Sequence, residues 1–285
     1  MDGKDNKIAA NLMIKCVDKL IDLHQPLVMG IINVTPDSFH EGSRVQDDAL
    51  LLSRVQSFIS QGVGIVDVGA VSTRPGAEEV SETIEIERIE NAVRLIANHF
   101  PSLIISVDTF RSNVARMAID HGAHIVNDVS GGSLDKHMFA TIAELNVPYI
   151  LMHSRGNSQN MQDLTNYNNV TIDVIKELSE KVHVLRELGV KDIIIDPGFG
   201  FAKTLEQNFK LLNELALFSS LGCPILVGLS RKSMIYKTLN TSPKESLNGT
   251  TALNMVALLN GANILRVHDV KEAREVVELY LKMVE

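Results

Sequence analysis

Eight short runs of Val, Ile and Leu recur along the chain, and nearly every one ends in a polar or charged residue. They are VMGIIN ending at Asn33, GIVDVG at Gly69, LIISVD at Asp108, HIVND at Asp128, PYILMH at His153, IIIDP at Asp196 and Pro197, PILVGLS at Ser230 and NILRVH at His268. Unbroken apolar runs of this length mark strands covered by helices on both faces, as in a parallel sheet. Between them lie amphipathic stretches at roughly 46–61, 82–99, 111–121, 136–145, 171–188, 204–221, 246–260 and 270–284. Leu52/Val55/Ile59 and Val174/Leu178/Val182 repeat at three- and four-residue spacing, as one buried helix face requires. Gly62, Gly122, Gly189, Gly222 and Gly261 each follow such a stretch, the usual place for a helix to stop. Eight strand–helix units predict an α/β fold, a single (β/α)8 TIM barrel spanning residues 1–285 as one domain. In such a barrel the C-terminal strand ends form the active site, so the polar residues closing the runs converge on one mouth. That convergence predicts an enzyme.

Before the first run, Met13–Cys16 and Leu20–Leu23 are short apolar pieces. They predict a small N-terminal hairpin closing the bottom of the barrel; an amphipathic helix is the competing reading. The connections 34–45 (VTPDSFHEGSRV) and 70–81 (AVSTRPGAEEVS) are long, polar and rich in Pro, Gly and Ser. Long loops at a barrel mouth are commonly functional lids. A third connection, 154–169, is rich in Asn, Gln and Ser and is expected to be mobile.

Composition narrows the function classes. The 285 residues are 45% hydrophobic and 22% charged, ordinary for a globular protein able to bury a large core. A net charge of −8 argues against a nucleic-acid surface, yet a few local cations can still hold a phosphorylated small molecule. No apolar run approaches the roughly 18 residues of a membrane span, and polar Met1–Lys7 does not read as a secretory signal, so the expected location is cytoplasmic. Cys16 and Cys223 lie outside any metal-ligand spacing and read as two reduced, buried thiols rather than a disulfide.

Six blocks carry the chemistry: NVTPDSF (Asn33–Phe39), STRPGA (Ser72–Ala77), SVDT (Ser106–Thr109), DPGFGFAK (Asp196–Lys203), GLSRKS (Gly228–Ser233) and RVHDV (Arg266–Val270). In this order and at barrel-unit spacing they resemble the signature set of the dihydropteroate synthase family, from about Met13 to the C-terminus. The resemblance implies that para-aminobenzoate displaces pyrophosphate from 6-hydroxymethyl-7,8-dihydropterin pyrophosphate, giving 7,8-dihydropteroate in folate biosynthesis. It further implies Mg2+ as cofactor, a homodimer, and sulfonamides as mimics of the aromatic amine.

The same resemblance assigns residues. Asp108, Asp196 and Lys232 take the catalytic positions. Asp196 would accept two parallel N–H bonds from the pterin edge, although Asp-Pro-Gly also favours a plain turn. Asn127 would add a second edge contact, Lys232 would donate to the carbonyl side, and Met152 would touch the pterin face. Asp108 would stabilise positive charge developing on the pterin methylene. Asn33 would contact Mg2+ and the phosphates, an ion that keeps few protein ligands. Thr73, Arg74, Phe201, Ser230 and Lys232, with Phe39 and Pro75, would line or border the aromatic-amine pocket; Arg74 could instead meet the pyrophosphate.

The leaving group needs cations, and barrels often bind phosphate after strands seven and eight. Those positions carry Arg231-Lys232 and Arg266-Val267-His268. Alternation puts Arg266 and His268 on one side of their strand, facing the same anion. Arg266 could also stack on the pterin, or the pair could simply bind Asp108 or Asp269. Asp67, inside an apolar run, reads as a hydrogen-bonded core carboxylate, and His153 as a packed residue behind the site. Two departures from the family stand out: Ala70-Val71 replaces a common Gly-Glu, and the stretch after His153 lacks a common Gly-Thr-Pro. A catalytically silent pterin-binding relative and a pterin-dependent methyltransferase acting on a corrinoid are the alternatives.

Overall fold

The computed structural model describes residues 12–16, 19–34, 44–71 and 80–285. Strands β1 (Met13–Cys16) and β2 (Lys19–Asp22) pair antiparallel, with Met13 opposite Asp22. The barrel follows as β3 (Leu27–Asn33), α1 (Arg44–Ser60), β4 (Ile65–Gly69), α2 (Glu82–His99), β5 (Ile104–Asp108), α3 (Ser112–Asp120), β6 (Ile125–Asp128) and α4 (Met138–Leu145). It continues through β7 (Tyr149–Met152), α5 (Val170–Glu187), β8 (Ile193–Asp196), α6 (Leu205–Asn213), β9 (Leu226–Val227), α7 (Ser233–Thr238), α8 (Leu247–Leu259), β10 (Ile264–Val267) and α9 (Val270–Val284). The parallel strands lie in the order β8-β7-β6-β5-β4-β3-β10-β9, and a bridge between Ile195 and Ile225 closes the ring.

The period-2 alternation of each strand divides the core in two. Outward residues such as Val28, Val66, Val68, Ile105, Val107, Val126, Leu151, Ile195 and Leu265 pack under the helices. Inward residues Met29, Ile65, Ile125, Ile150, Ile194, Leu226 and Ile264 fill the lower interior. Ile14, Cys16 and Leu23 join this inner cluster, and the Lys15 backbone N–H donates to Asp192 Oδ1 at 2.9 Å. The hairpin therefore plugs the N-terminal end of the barrel, as its apolar pieces predict. Above the lower layer the inward positions turn polar, which places all the chemistry at the opposite end.

Each of the five stop glycines has a positive φ, from 64° at Gly222 to 108° at Gly122, the left-handed geometry that lets the chain leave a helix for the next strand. The region 204–221 differs from the expected single helix. Thr204 and Gln207 form a reciprocal capping box at the start of α6, which ends at Asn213. A 3-10 segment, Leu215–Leu221, follows and buries Leu215, Phe218 and Leu221. Their strict three-residue spacing is the 3-10 period, which an α-helical reading absorbs without notice. Helix α7 carried no periodic signal, because its six residues bury only the adjacent Met234 and Ile235. The PILVGLS run forms only two residues of regular strand before turning toward the mouth.

Residues 154–169 are held in place: Met161 is buried, Arg155 donates to Asn166 O at 2.8 Å, and Gln207 donates to Thr165 O at 2.9 Å. Cys16 and Cys223 are both free and buried; burial pushes the Cys16 thiol up to about 11 and raises that of Cys223. Among the described residues no helix is long and apolar enough to cross a membrane.

Candidate active site

Parallel register brings together residues far apart in sequence. Asn33 pairs with Gly69, Gly69 with Asp108, and Asp108 with Asn127, so four adjacent strands present one level of the mouth. On the other wall Met152 pairs with Asp196. Arg266 reaches across the interior from β10. Its Nε donates to Asp67 Oδ2 at 2.6 Å and its Nη2 donates to Asp108 Oδ2 at 2.5 Å. Asn127 Nδ2 donates to the same Asp67 oxygen at 3.0 Å. Asp67 is completely buried, so it serves as the core carboxylate that the guanidinium neutralises. Of the alternatives for Arg266, pairing with Asp108 is realised. Two N–H bonds hold the plane, and its other donors remain for an incoming anion.

Asp196 caps its own turn by accepting from the Gly198 N–H at 2.7 Å. Lys232 enters from the segment after β9, donates to the Phe199 carbonyl, and holds its Nζ 5.1 Å from the centre of the Phe201 ring. Ser230 accepts from the His268 N–H at 3.2 Å, and its hydroxyl lies 3.0 Å from His268 Nδ1. Asn33 is exposed at the rim. The register and contacts thus gather Asn33, Asp108, Asn127, Met152, Asp196, Phe201, Ser230, Lys232, Arg266 and His268 at one end. Thr73 and Arg74, with Phe39 and Pro75, lie outside the described residues.

Arg231 is a correction to the expected phosphate cations. It adopts a left-handed φ of 56° and turns away, donating to Asp269 from Nε at 2.9 Å and Nη2 at 2.7 Å. Its neighbour Lys232 alone of that pair faces the mouth, because one left-handed residue reverses the side-chain direction between them.

Burial dominates the electrostatics. It pushes the Asp108 carboxyl up to about 7 against the pull of Arg266, and it raises Asp196 against the pull of Lys232. Burial also lowers Lys232 to about 8, although Asp196 opposes the shift. Arg266 remains cationic: burial works against its charge, but Asp67 and Asp108 together outweigh it. Asp67 Oδ1 and Ser106 Oγ, on register-paired residues, have no protein hydrogen-bond partner. The floor of the mouth is therefore polar, charged and incompletely satisfied by protein groups, as a site for a polar ligand should be.

The Pterin binding enzyme family matches residues 29–268, a span that holds every one of these groups. The dihydropteroate synthase of Escherichia coli strain K12 is 42% identical over 261 residues, covering 91% of this chain and 92% of that protein. The chain belongs to the dihydropteroate synthase family. The Clostridium beijerinckii dihydropteroate synthase is likewise 42% identical over 248 residues, 86% of this chain and 89% of that one. Among solved structures, Yersinia pestis dihydropteroate synthase with a sulfonamide drug aligns with a TM-score of 0.89 at 36% identity, covering 95% of this chain and 99% of that one. Xanthomonas albilineans dihydropteroate synthase with 4-aminobenzoic acid gives 0.88 at 33% identity, covering 96% and 98%. The barrel and its hairpin thus agree between sequence and structure, as do the motif blocks at 106–109, 196–203, 228–233 and 266–270, whereas 35–39 and 72–77 lie outside the described residues. Two residues around this site carried weaker sequence signals. Asp67 announced itself only by being charged within an apolar run, and Lys203 only by closing a motif.

Proposed function

We propose that this chain joins 6-hydroxymethyl-7,8-dihydropterin pyrophosphate to para-aminobenzoate, releasing pyrophosphate and 7,8-dihydropteroate. The observation that carries the reading is one polar barrel end in which Asn127, Asp196 and Lys232 stand beside Arg266. An amide, a carboxylate and an ammonium match the donors, ring N–H and carbonyl of a pterin edge. As the methylene C–O bond breaks, its electron pair leaves with the pyrophosphate, and Arg266 is the cation placed to receive it, with the His268 imidazole nearby on the same strand end. Asp108 faces the carbon side, where its negative charge lowers the energy of the cation that develops. The neutral aromatic amine then forms the C–N bond and gives its proton to water or to the departing phosphate. No side-chain base is needed for that step.

Among the described residues no group of three His, Cys, Asp or Glu side chains forms a metal cage. Asn33, exposed at the rim, would hold Mg2+ through its amide oxygen, a hard ligand suited to an ion that keeps few protein ligands. Bound there, Mg2+ would neutralise charge on the leaving group. We further place the enzyme in the cytoplasm as a homodimer, to be checked by fractionation and by light scattering.

Pyrophosphate release that requires both substrates tests the reaction. Tight pterin binding without turnover would instead establish the silent relative, for which Ala70-Val71 supplies the motive. The charge state of Asp108 gives a second test. Its carboxyl ionises near pH 7 in the free protein, and only the anion stabilises the cation. The expected kcat/KM therefore rises with pH through about 7 and levels off above it. An ascending limb that persists unchanged in D108N would remove Asp108 from that role.

A further inference from the structure

The turn from Asp196 to Lys203 carries two groups of the site, Asp196 and Phe201, yet its backbone is strained. Gly198, Gly200 and Ala202 all have positive φ, at 71°, 81° and 48°. A side chain at Gly198 would be impossible, since its Cβ would fall 1.9 Å from the His153 carbonyl oxygen. Alanine in the left-handed region persists only where the surroundings over-determine it. The surroundings here are two lysine side chains that hold carbonyls of the turn. Lys232 holds the Phe199 carbonyl from the mouth. Lys203 is buried, which lowers its ammonium to about 7 against the pull of Asp196, and it donates to Gly198 O at 2.9 Å and to Phe201 O at 3.0 Å.

The third Lys203 contact is His153 Nδ1, at 3.0 Å. The Glu177 carboxylate beside Nε2 can only accept, so the proton of the ring sits on Nε2 and Nδ1 is the bare nitrogen that accepts from Lys203. That Nε2–H points at Glu177 Oε2, 3.0 Å away on α5. Glu177 is held in turn by Arg155, whose Nε lies 3.1 Å from Oε1 and whose guanidinium covers the Tyr167 ring at 3.9 Å. Burial and the neighbouring Lys203 lower His153 to about 4, which keeps the imidazole neutral, and the His153 hydrogen bond first among several lowers Glu177 to about 2.

We propose that Lys203, oriented by His153 and Glu177, is a positioning residue for the aromatic-amine pocket: it clamps the Gly198 and Phe201 carbonyls so that the Phe201 ring stays beside Lys232. The proposal rests on the reaction proposed above. The Asp196 backbone is fixed within β8 even though its carboxylate accepts from the Gly198 N–H of the turn, so loss of the clamp is felt more by the second substrate than by the pterin. In folded K203M, the KM for para-aminobenzoate is expected to rise about tenfold or more, while kcat and the calorimetric Kd for the pterin substrate change less than about threefold. H153L, which leaves both carbonyl bonds to Lys203 in place, should give the same split at about three- to fivefold, and it serves should K203M fail to fold. An unchanged amine KM, or equal rises in amine KM and pterin Kd, overturns the proposal. A wild-type protein without turnover refutes the reaction alone; the same split is then read from the Kd of para-aminobenzoate on protein loaded with pterin and pyrophosphate.

Discussion

Replacing Arg266 with methionine is expected to lower stability by about 3–5 kcal/mol, the usual cost of removing one partner from a buried ion pair. The magnitude follows from what stays behind. Asp67 is wholly buried and loses its 2.6 Å partner, while Asp108 loses its own at 2.5 Å. Two carboxylates would then face one another across the mouth with no fixed cation between them. Activity should fall further than stability, by about three orders of magnitude in kcat/KM, since the substrate diphosphate loses a preorganised donor as well. Thermal unfolding and initial rates measure the two effects, and a second substitution separates them. D67N in the R266M background removes the unpaired charge and should recover most of the lost stability. It should recover none of the activity. Joint recovery would mean that Arg266 serves the fold alone.

Replacing Asp196 with asparagine should abolish measurable pterin binding. A carboxylate can accept both N–H groups of the pterin edge; an amide of the same shape offers one acceptor and turns a donor toward a donor. Hydrogen bonds to a charged group contribute about 1.5–3 kcal/mol each; one is lost to a donor facing a donor and the other loses its charge, which together correspond to about two orders of magnitude or more in Kd. The Gly198 N–H keeps an acceptor if the amide oxygen takes the place of Oδ1, so the turn itself should survive. Calorimetry with the pterin substrate checks the first expectation, and an unchanged circular dichroism spectrum the second. Full pterin affinity in D196N would reduce Asp196 to a turn residue, the bland alternative its Asp-Pro-Gly sequence allows.

Much of this site could be read before any coordinates. Asn33, Asp108, Asn127 and Arg266 all terminate or nearly terminate an apolar run, and parallel strands align their C-terminal ends whatever their separation in sequence. The pairing of Asp67 with Arg266 could not be read, because it spans the barrel interior between strands that are not neighbours. Arg231 and Lys232 are equivalent as adjacent cations in sequence; only the left-handed φ at Arg231 sends one to Asp269 and the other to the mouth.

Hydrophobic periodicity is a local property, and it determined the strands, most of the helices, their alternation and hence the barrel. Fixed motifs within it determined the family. Tertiary structure decided which charges neutralise one another and which remain for substrate, since that depends on distances of a few ångströms across the interior. Lys203 shows the difference most plainly. Two of its three partners lie within five residues of it and the third fifty residues away, and only burial of all of them together makes its amino group a clamp instead of a solvated surface charge.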